Sequence, residues 1–328
     1  MKIFKEKIQV KRPVSCSVEV LRRCLLRCKM CYMWKYNSNP EEIAVSELNR
    51  FIDDIRDFLI GERVIVFGGG EPLLKKGIWK VVEHAVKNRL KTIVTSNGVL
   101  INKEIARAIA DSGLNEIYIA LDGIKEETHD FLRGVKGTYE NVMNAFDYLN
   151  GYALKKGIIT IISGYNLDEL LGLIKWARTT CISIYFQVIQ RPFHSRASDD
   201  WYKEEEYRFL WPEDVPKVCS IIDEIIRLTE EGFPIDNPKE QLTIYKKYFQ
   251  NPEGFTMRKK CRFTDYTINI TEEGEAHLCC FMKPIGNIKR ERITELWYSE
   301  VASQVRADMN RCNKNCHNII NCFFKEDD

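Results

Sequence analysis

Cys24-Leu-Leu-Arg-Cys28-Lys-Met-Cys31 is the segment from which the rest of this sequence is best understood, because it places three thiols within eight residues. Thiolates at this spacing can bind one metal centre without help from distant parts of the chain. A cluster or a tetrahedral ion takes four ligands, so three cysteines leave one coordination position open for chemistry. Two other interpretations fit the spacing, namely buried core cysteines on one helical face and a structural zinc site.

Short apolar strands alternate with helices on both sides of this segment. We predict strands at 14–21, 63–67, 92–95, 116–121, 158–162 and 182–189. Polar or glycine-rich motifs follow four of them, namely the cysteine segment, Gly68–Pro72, Ser96–Gly98 and Asp122–Gly123. In a β/α barrel such loops meet at one rim, whereas an open doubly wound sheet concentrates its ligand contacts at one switch point. Six units predict an α/β fold with a partial (β/α)6 TIM-like barrel.

Capping residues predict where several helices begin. Ser46, Asn102 and Thr138 are the expected N-caps of three barrel helices, and Pro212 suits the first turn of a later one. The strand–helix rhythm stops near residue 199. We therefore divide the chain into a barrel core at 1–198, a helical bridge at 199–260 and a cysteine-rich tail at 261–328.

Composition limits the classes of function. The 328 residues are 45% hydrophobic and 29% charged with a net charge of +2, so nothing in the bulk charge favours nucleic acid or an anionic membrane as a partner. No apolar run approaches the roughly 20 residues of a membrane span. The amino-terminal residues lack the apolar region of a secretion signal. We expect a cytoplasmic protein.

The twelve cysteines fall into two groups with three scattered members. Thiols in this number, in a chain without secretion features, favour metal binding over disulfides. Thr271–Glu275 fits a hairpin turn that would place Cys261 and Cys279 on adjacent strands. The tail therefore predicts a second metal centre, with zinc still open on this evidence alone. Its cysteines are Cys261, Cys279, Cys280, Cys312, Cys316 and Cys322.

The Cx3Cx2C segment resembles the signature of the radical S-adenosylmethionine (SAM) enzymes. The resemblance implies that Cys24, Cys28 and Cys31 hold three irons of a 4Fe–4S cluster, whose fourth iron binds SAM. An electron from the cluster would then cleave SAM to a 5′-deoxyadenosyl radical. The family usually has an aromatic residue before the third cysteine, where this chain has Met30 followed by Tyr32.

Further motifs match the family's SAM-binding loops. The resemblance assigns cofactor contacts to the GGEP motif, to the loop after the third strand, and to residues near the next two strand ends. Arg133 is the expected partner of the SAM carboxylate, with a surface ion pair as the alternative, and Asn166 is expected at the ribose or as an N-cap. The expected cofactor-binding residues are Tyr32, Gly69, Gly70, Glu71, Pro72, Ser96, Asn97, Asp122, Arg133 and Asn166.

The tail resembles the SPASM or twitch extensions of radical SAM enzymes, which carry auxiliary iron–sulfur clusters. The full SPASM pattern has seven cysteines, and this chain lacks its final Cx3C and distal cysteine. The resemblance therefore implies one auxiliary 4Fe–4S cluster bound by Cys261, Cys279 and two of Cys312, Cys316 and Cys322. Cys280 is a candidate catalytic hydrogen-atom donor, or else a spare thiol or an alternative ligand.

Three functions are compatible with these features. The first is radical oxidation, cross-linking or epimerisation of a peptide or natural product. The second is dehydrogenation or epimerisation of a sugar or aminocyclitol, and the third is a non-catalytic iron–sulfur electron-transfer protein. Only 23 residues precede Cys24, so we expect any leader-binding domain to be a separate protein. A reductant such as flavodoxin or ferredoxin is the other expected partner.

Overall fold

A nine-stranded, mostly parallel sheet forms the centre of the computed structural model, which describes residues 10–35, 41–192, 195–254, 266–312, 314, 316 and 318–321. The strands are β1 (Ser15–Leu21), β2 (Val64–Gly69), β3 (Lys91–Ser96), β4 (Glu116–Ala120), β5 (Lys155–Ile162), β6 (Ser183–Val188), β7 (Thr267–Ile270), β8 (Glu275–His277) and β9 (Gly286–Asn287). Their order in the sheet is β6-β5-β4-β3-β2-β1-β7-β8-β9.

The helices are α1 (Val45–Ile55), α2 (Ile78–Lys87), α3 (Lys103–Asp111), α4 (Glu126–Arg133), α5 (Thr138–Leu149), α6 (Leu170–Thr179), α7 (Val215–Glu230), α8 (Lys239–Gln250), α9 (Ile293–Trp297) and α10 (Glu300–Asn310). The partial, unclosed barrel predicted from the sequence is confirmed, because β1 to β6 run parallel in sequence order. Helix α4 was not predicted. No helix in the described part of the chain is long and apolar enough to span a bilayer.

Side-chain alternation divides β1 between two environments. Cys16, Val18 and Val20 are fully buried in the main core cluster, whereas Ser17 and Glu19 point to the other face of the strand and are only partly buried. Burial of the even-numbered residues fixes the register of β1, since a one-residue slip would move every core side chain to the opposite face.

The tail extends the barrel sheet at β1. Ser15 to Val18 pair in parallel register with Thr267 to Ile270 of β7, so β1 lies between β2 and β7. The antiparallel β7–β8 hairpin confirms the predicted turn at Thr271–Glu275. The position of Cys261 relative to this hairpin lies outside the described residues.

Asparagine side chains cover the other end of the sheet at β6. Asn237 accepts a hydrogen bond from the Phe186 amide at 2.6 Å and donates to the Phe186 carbonyl at 2.9 Å. Asn321, in the tail, makes the same pair of contacts with the backbone of Val188, at 2.9 and 3.2 Å. These contacts satisfy backbone groups that an unpaired edge strand would leave free.

Three predicted helix starts are wrong. Ala44 rather than Ser46 is the N-cap of α1, and the Ala44 amide donates to the Glu47 carboxylate at 2.7 Å. Gly137 precedes α5, and the Thr138 hydroxyl donates instead to Asp130 at 2.6 Å. Helix α7 begins after Asp214, whose carboxylate accepts the Lys217 amide, so Pro212 lies outside it. A carboxylate supplies the capping contact at α1 and at α7, and at α5 the Thr138 hydroxyl is bound to Asp130.

Candidate functional site

The cysteine segment lies against the carboxyl-terminal end of α4. The amide of Arg27 donates to the Arg133 carbonyl at 3.0 Å, and that of Lys29 donates to the Leu132 carbonyl at 2.9 Å. These carbonyls have no partner inside the helix, because the last turn of any helix leaves its acceptors free. Helix α4 thereby orders the segment that carries Cys28.

Gly69 and Gly70 bring the β2 loop against the backbone leading to Cys24. A Cβ atom on Gly70 would lie 2.2 Å from the Arg23 carbonyl oxygen, and one on Gly69 would lie 2.3 Å from the Leu21 oxygen. The Gly70 amide donates to Leu21 at 2.8 Å. Both positions therefore require glycine, and the close approach that the sequence suggested for a ligand is made first to the chain itself.

Glu71 connects the β2 loop to the loop after β3. Its fully buried carboxylate accepts the Ser96 hydroxyl at 2.8 Å, the Asn97 amide at 2.8 Å and the Leu73 amide at 3.1 Å. Burial raises the pKa of Glu71 to about 7, although the three donors oppose that rise. The Asn97 side chain in turn lies 3.8 Å from the Cys24 sulfur.

One cavity of about 280 Å³ brings most of the predicted residues together. Its upper part is lined by Cys24, Cys28, Cys31, Gly69, Gly70, Ser96, Asn97 and Arg133. Inward-facing strand residues continue it into the barrel, among them Thr95, Tyr118 and Gln187, which the sequence did not single out. The Tyr118 hydroxyl donates to Asp236 at 2.7 Å near the amino-terminal end of the strands, and this contact limits the cavity there.

Arg133 lies beside Cys28 in a buried ion pair. Its Nη2 is 2.6 Å from Asp122, and its Nη1 is 3.9 Å from the Cys28 sulfur. Although burial alone would lower it, the pKa of Arg133 is raised by the charges of Asp122, Cys28 and Cys31. The alternative of a surface ion pair is wrong, because the partner of Arg133 is the buried Asp122. The Nε atom of Arg133 has no hydrogen-bond partner among the described residues, so it can serve an anionic ligand.

Two nearby residues have structural contacts. His129 is fully buried and accepts the Asp122 amide at 3.2 Å, and burial lowers its pKa to about 3. Asn166 donates to the carbonyls of Asp122 and Ile161 at 2.7 and 2.8 Å and accepts the Ser163 amide at 2.9 Å. Since its amide is fully engaged with the ends of β4 and β5, Asn166 shapes this rim, and its side chain caps no helix.

Tyr32 and Pro72 lie outside the residues that line the cavity. The Tyr32 hydroxyl donates to Glu206 of the bridge, and its ring packs edge-on against Tyr207 with centroids 6.1 Å apart. Pro72 begins a buried 3-10 turn after Glu71. Met30, the departure from the family pattern, is packed in the core cluster.

The three barrel thiols suit a polynuclear centre. Burial raises the pKa of each, that of Cys28 to about 11, so a bound metal must displace their protons. Four thiolates around one zinc ion lie about 3.8 Å from each other, as follows from a Zn–S distance of about 2.3 Å. No group of three His, Cys, Asp or Glu side chains in the described part of the chain is arranged to share a single ion. Three thiols that line one cavity are the donor set that a 4Fe–4S cluster would take, with each thiolate binding its own iron.

The described tail cysteines lie on two segments. Cys279 follows β8 and is near Cys280 and Cys316. Its pKa is raised, mainly by a hydrogen bond with Cys280 and to a smaller extent by burial. Cys280 is exposed, and Cys312 is exposed at the end of α10. Cys261 and Cys322 lie outside the described residues.

Glu19 is a polar residue that the sequence analysis missed. It lies on the inner face of β1, opposite Gly68 of β2, where no side chain occupies the neighbouring position. Burial, together with the charge of Glu272, raises the pKa of Glu19 to about 7. The available signal was a charged residue in a strand whose remaining residues are uncharged. Arg22 pairs with the fully buried Glu272 at 2.6 Å beside it.

Comparison with protein families matches two parts of the chain. Residues 18–177 match the model of the radical SAM superfamily, and residues 261–322 match SPASM, an iron–sulfur cluster-binding domain. The first match covers the cysteine segment and most of the barrel. The second covers all six tail cysteines.

Individual proteins agree with these matches. Fe-coproporphyrin III synthase of Methanosarcina barkeri is 26% identical over 84% of this chain and 71% of its own. Mycofactocin maturase MftC of Mycolicibacterium smegmatis is 28% identical over 48% of this chain and 40% of its own. The crystal structure of Streptococcus suis SuiB bound to precursor peptide SuiA superposes with a TM-score of 0.68, at 15% identity over 90% of this chain and 67% of that one.

Proposed function

The chain belongs to the radical SAM superfamily and carries a SPASM extension, and from this premise we propose that it cleaves SAM reductively to oxidise a carbon centre of its substrate. The family implies a 4Fe–4S cluster with SAM and auxiliary iron–sulfur binding in the tail. The observation that supports the assignment most directly is the convergence of Cys24, Cys28 and Cys31 on one cavity with Gly69, Gly70, Ser96 and Asn97.

The chain's own residues bind and orient in this proposal. Cys24, Cys28 and Cys31 would hold the barrel cluster, and the unpartnered Nε of Arg133 would meet the carboxylate of SAM. When bound, the cluster supplies the electron that cleaves SAM to a 5′-deoxyadenosyl radical, which removes a substrate hydrogen atom. Apolar lining residues such as Leu26, Ile159 and Ile161 would limit access of water to the reacting centre, and the polar inner residues would position the substrate.

The tail would bind one auxiliary 4Fe–4S cluster through Cys261, Cys279 and two of Cys312, Cys316 and Cys322. The proximity of Cys279 to Cys316 favours Cys316 as one of these two. Cys280 stays a candidate hydrogen-atom donor, and Cys280→Ala is expected to remove an epimerisation activity while leaving SAM cleavage intact. Full retention of epimerisation would exclude that role.

Peptide or natural-product maturation is the first candidate for the reaction. The similarity of 48% of the chain to mycofactocin maturase supports it, together with the match of the tail to SPASM. Under this proposal a separate leader-binding protein and a flavodoxin or ferredoxin would be the partners. The sugar or aminocyclitol alternative stays a prediction.

A tetrapyrrole side chain is the second candidate substrate. The observation that favours it is the length of the match to Fe-coproporphyrin III synthase, which extends through 84% of this chain, whereas the maturase match covers 48%. Iron porphyrins and peptides can be tested in parallel, because only the class that contains the substrate should increase 5′-deoxyadenosine formation above the rate without substrate.

The decisive experiment measures 5′-deoxyadenosine from SAM with anaerobically reconstituted, dithionite-reduced protein. We expect formation by the wild type and none by the Cys24→Ala/Cys28→Ala/Cys31→Ala variant. Cys181→Ala is the matched control, because Cys181 is an exposed cysteine outside both groups, and it should retain full activity. Wild-type protein that binds iron but forms no 5′-deoxyadenosine would support an electron-transfer protein instead.

A further inference from the structure

The inner faces of β3 to β6 form the deep part of the cavity. Thr95 and Tyr118 pair in register on β3 and β4, and Ile161 and Gln187 do so on β5 and β6. Six residues of these strands line the cavity, and we call them the inner wall: Thr95, Tyr118, Ala120, Ile159, Ile161 and Gln187. The residues assigned above to the cluster and SAM lie in the upper part of the cavity, so the inner wall is left for the substrate.

Two polar side chains of the inner wall are available to a ligand. The cavity is lined by five hydroxyl or carboxamide side chains, of which three already make hydrogen bonds, namely Ser96, Asn97 and Tyr118. The Thr95 hydroxyl and the Gln187 carboxamide make none within the part of the chain that the structure describes. A hydroxyl and a carboxamide can each donate and accept. Together they can satisfy both the N–H and the C=O of an amide.

Free positive charge is absent from the described lining of the cavity. Its one basic side chain is Arg133, which pairs with Asp122 at 2.6 Å and whose Nε is assigned above to SAM. Lys155 donates to the Tyr118 hydroxyl at 2.9 Å from below the inner wall, and it pairs with Asp236 at 2.9 Å. A carboxylate brought to the inner wall would therefore lose its hydration without gaining a counter-charge, which is strongly unfavourable.

The size of the cavity limits what can reach the inner wall. Its volume is about 280 Å³, whereas ligand pockets commonly measure about 300–1,000 Å³. Only the reacting end of a large substrate fits in such a space. That end is a propionate in a tetrapyrrole, but a side chain or a backbone amide in a peptide. The inner wall therefore distinguishes the two candidate substrates by the charge of the group that enters.

We propose that Thr95 and Gln187 form a specificity subsite that accepts an uncharged carboxamide of the substrate and rejects a carboxylate. This inference rests on the proposed function, because it concerns the substrate of the same cavity. It favours an amide-bearing substrate, such as a peptide, over a tetrapyrrole with free propionates.

Matched amide and carboxylate probes test the subsite. One pair consists of blocked pentapeptides that differ only in a central glutamine or glutamate, and the other of an iron porphyrin with free propionates and its propionamide form. Calorimetry measures their binding to the reconstituted protein with SAM and without reductant, so that no SAM is consumed. Thr95→Val, Gln187→Leu and Gln187→Lys are compared with Gln304→Lys, the control, which adds the same charge at an exposed position of α10.

We expect the wild type to bind an amide probe at least about tenfold more tightly than its carboxylate partner. Thr95→Val and Gln187→Leu should each weaken amide binding about tenfold, because each removes one hydrogen-bonding group. Gln187→Lys should reverse the preference, since it supplies the missing counter-charge, and such a gain cannot come from misfolding. The control should match the wild type.

Three results would overturn the proposal: equal binding of amide and carboxylate by the wild type, no binding of either amide probe, or an unchanged preference in Gln187→Lys. Stimulation of 5′-deoxyadenosine formation by the free-propionate porphyrin alone would overturn it as well. A wild type that shows the amide preference but forms no 5′-deoxyadenosine with dithionite would instead contradict the proposed function and leave the subsite standing.

Discussion

Asp122 and Arg133 form a buried ion pair at the wall of the cavity, and this makes the two residues dependent on each other. Asp122 also accepts the Ile161 amide at 2.9 Å, so it joins β5 to α4 behind Cys28. A buried pair contributes little net stability, but removal of one partner leaves the other charge buried and uncompensated. The pair is therefore better understood as a means of orienting Arg133 towards the cavity.

Replacement of the Asp122 carboxylate tests whether the ion pair with Arg133 is buried. Asp122→Asn should lower the free energy of unfolding by about 3–5 kcal/mol, because it leaves the Arg133 guanidinium without a counter-charge. Asp168→Asn is the matched control, since Asp168 pairs with Lys217 at 2.7 Å but is 79% exposed. The control should cost less than about 1 kcal/mol in urea unfolding of the apoprotein. Equal costs for the two variants would contradict the buried pair.

Glu71 carries a pH dependence whose sign follows from its environment. Its pKa is about 7 in the fold and 4.5 as the ordinary value, so the folded state binds the proton more tightly than the unfolded state does. Between pH 4.5 and 7 the unfolded chain loses this proton first, and rising pH then favours unfolding. The measured quantity is the free energy of unfolding of the wild type minus that of Glu71→Gln. This difference should fall between pH 4.5 and 7 and stay constant above pH 7.

The same series of measurements has an exposed control. Glu140→Gln, which changes an exposed glutamate on α5, is measured in parallel as the control for loss of a surface carboxylate. A wild-type minus Glu71→Gln difference that rises with pH would mean that the three donors on Glu71 outweigh burial. The carboxylate would then be ionised throughout this range.

Most residues that line the upper part of the cavity could be predicted from the sequence, because they belong to short local motifs. Local motifs such as Cys24–Cys31 and Gly69–Gly70 can be recognised from neighbours in sequence, and the structure places them on one cavity. The partner of Arg133 could not be predicted, because Asp122 becomes its neighbour only when α4 folds back on β4. Glu19 was missed for a similar reason, since its surroundings come from β2 and the tail.

Among the elements, the loop after β2 supports the cysteine segment by close backbone contact. Gly70→Ala would place a Cβ 2.2–2.3 Å from the carbonyl oxygens of Arg22 and Arg23, and backbone cannot yield at low cost. We expect the barrel cluster to be lost, so that the iron content per chain falls to that of the Cys24→Ala/Cys28→Ala/Cys31→Ala variant.

The control for this substitution is Gly172→Ala in α6, where the added Cβ would meet its nearest neighbour at an ordinary 3.5 Å. It should retain full iron content and gain up to about 1 kcal/mol of stability, because alanine is the better helix former. Wild-type iron content in Gly70→Ala would show that the two loops can separate without loss of the site.

At the scale of the whole molecule, β1 lies between the barrel and the tail. The sequence predicted a barrel core followed by a bridge and a separate tail, and that division stays a prediction. Long-range strand pairing is hard to derive from sequence, because nothing local in Thr267–Ile270 specifies β1 as its partner. The observed sheet joins the two predicted units through backbone hydrogen bonds on both sides of one strand.

This continuity predicts that the barrel and the tail unfold together. Ile268 of β7 is fully buried and pairs in register with Cys16, so Ile268→Ala should cost about 2–5 kcal/mol and lower the melting temperature of a single calorimetric transition. Val301→Ala, at a 42% exposed position of α10, should change stability by less than about 0.5 kcal/mol. Two transitions, of which Ile268→Ala shifts only the smaller, would mean that the tail folds independently and only rests against β1.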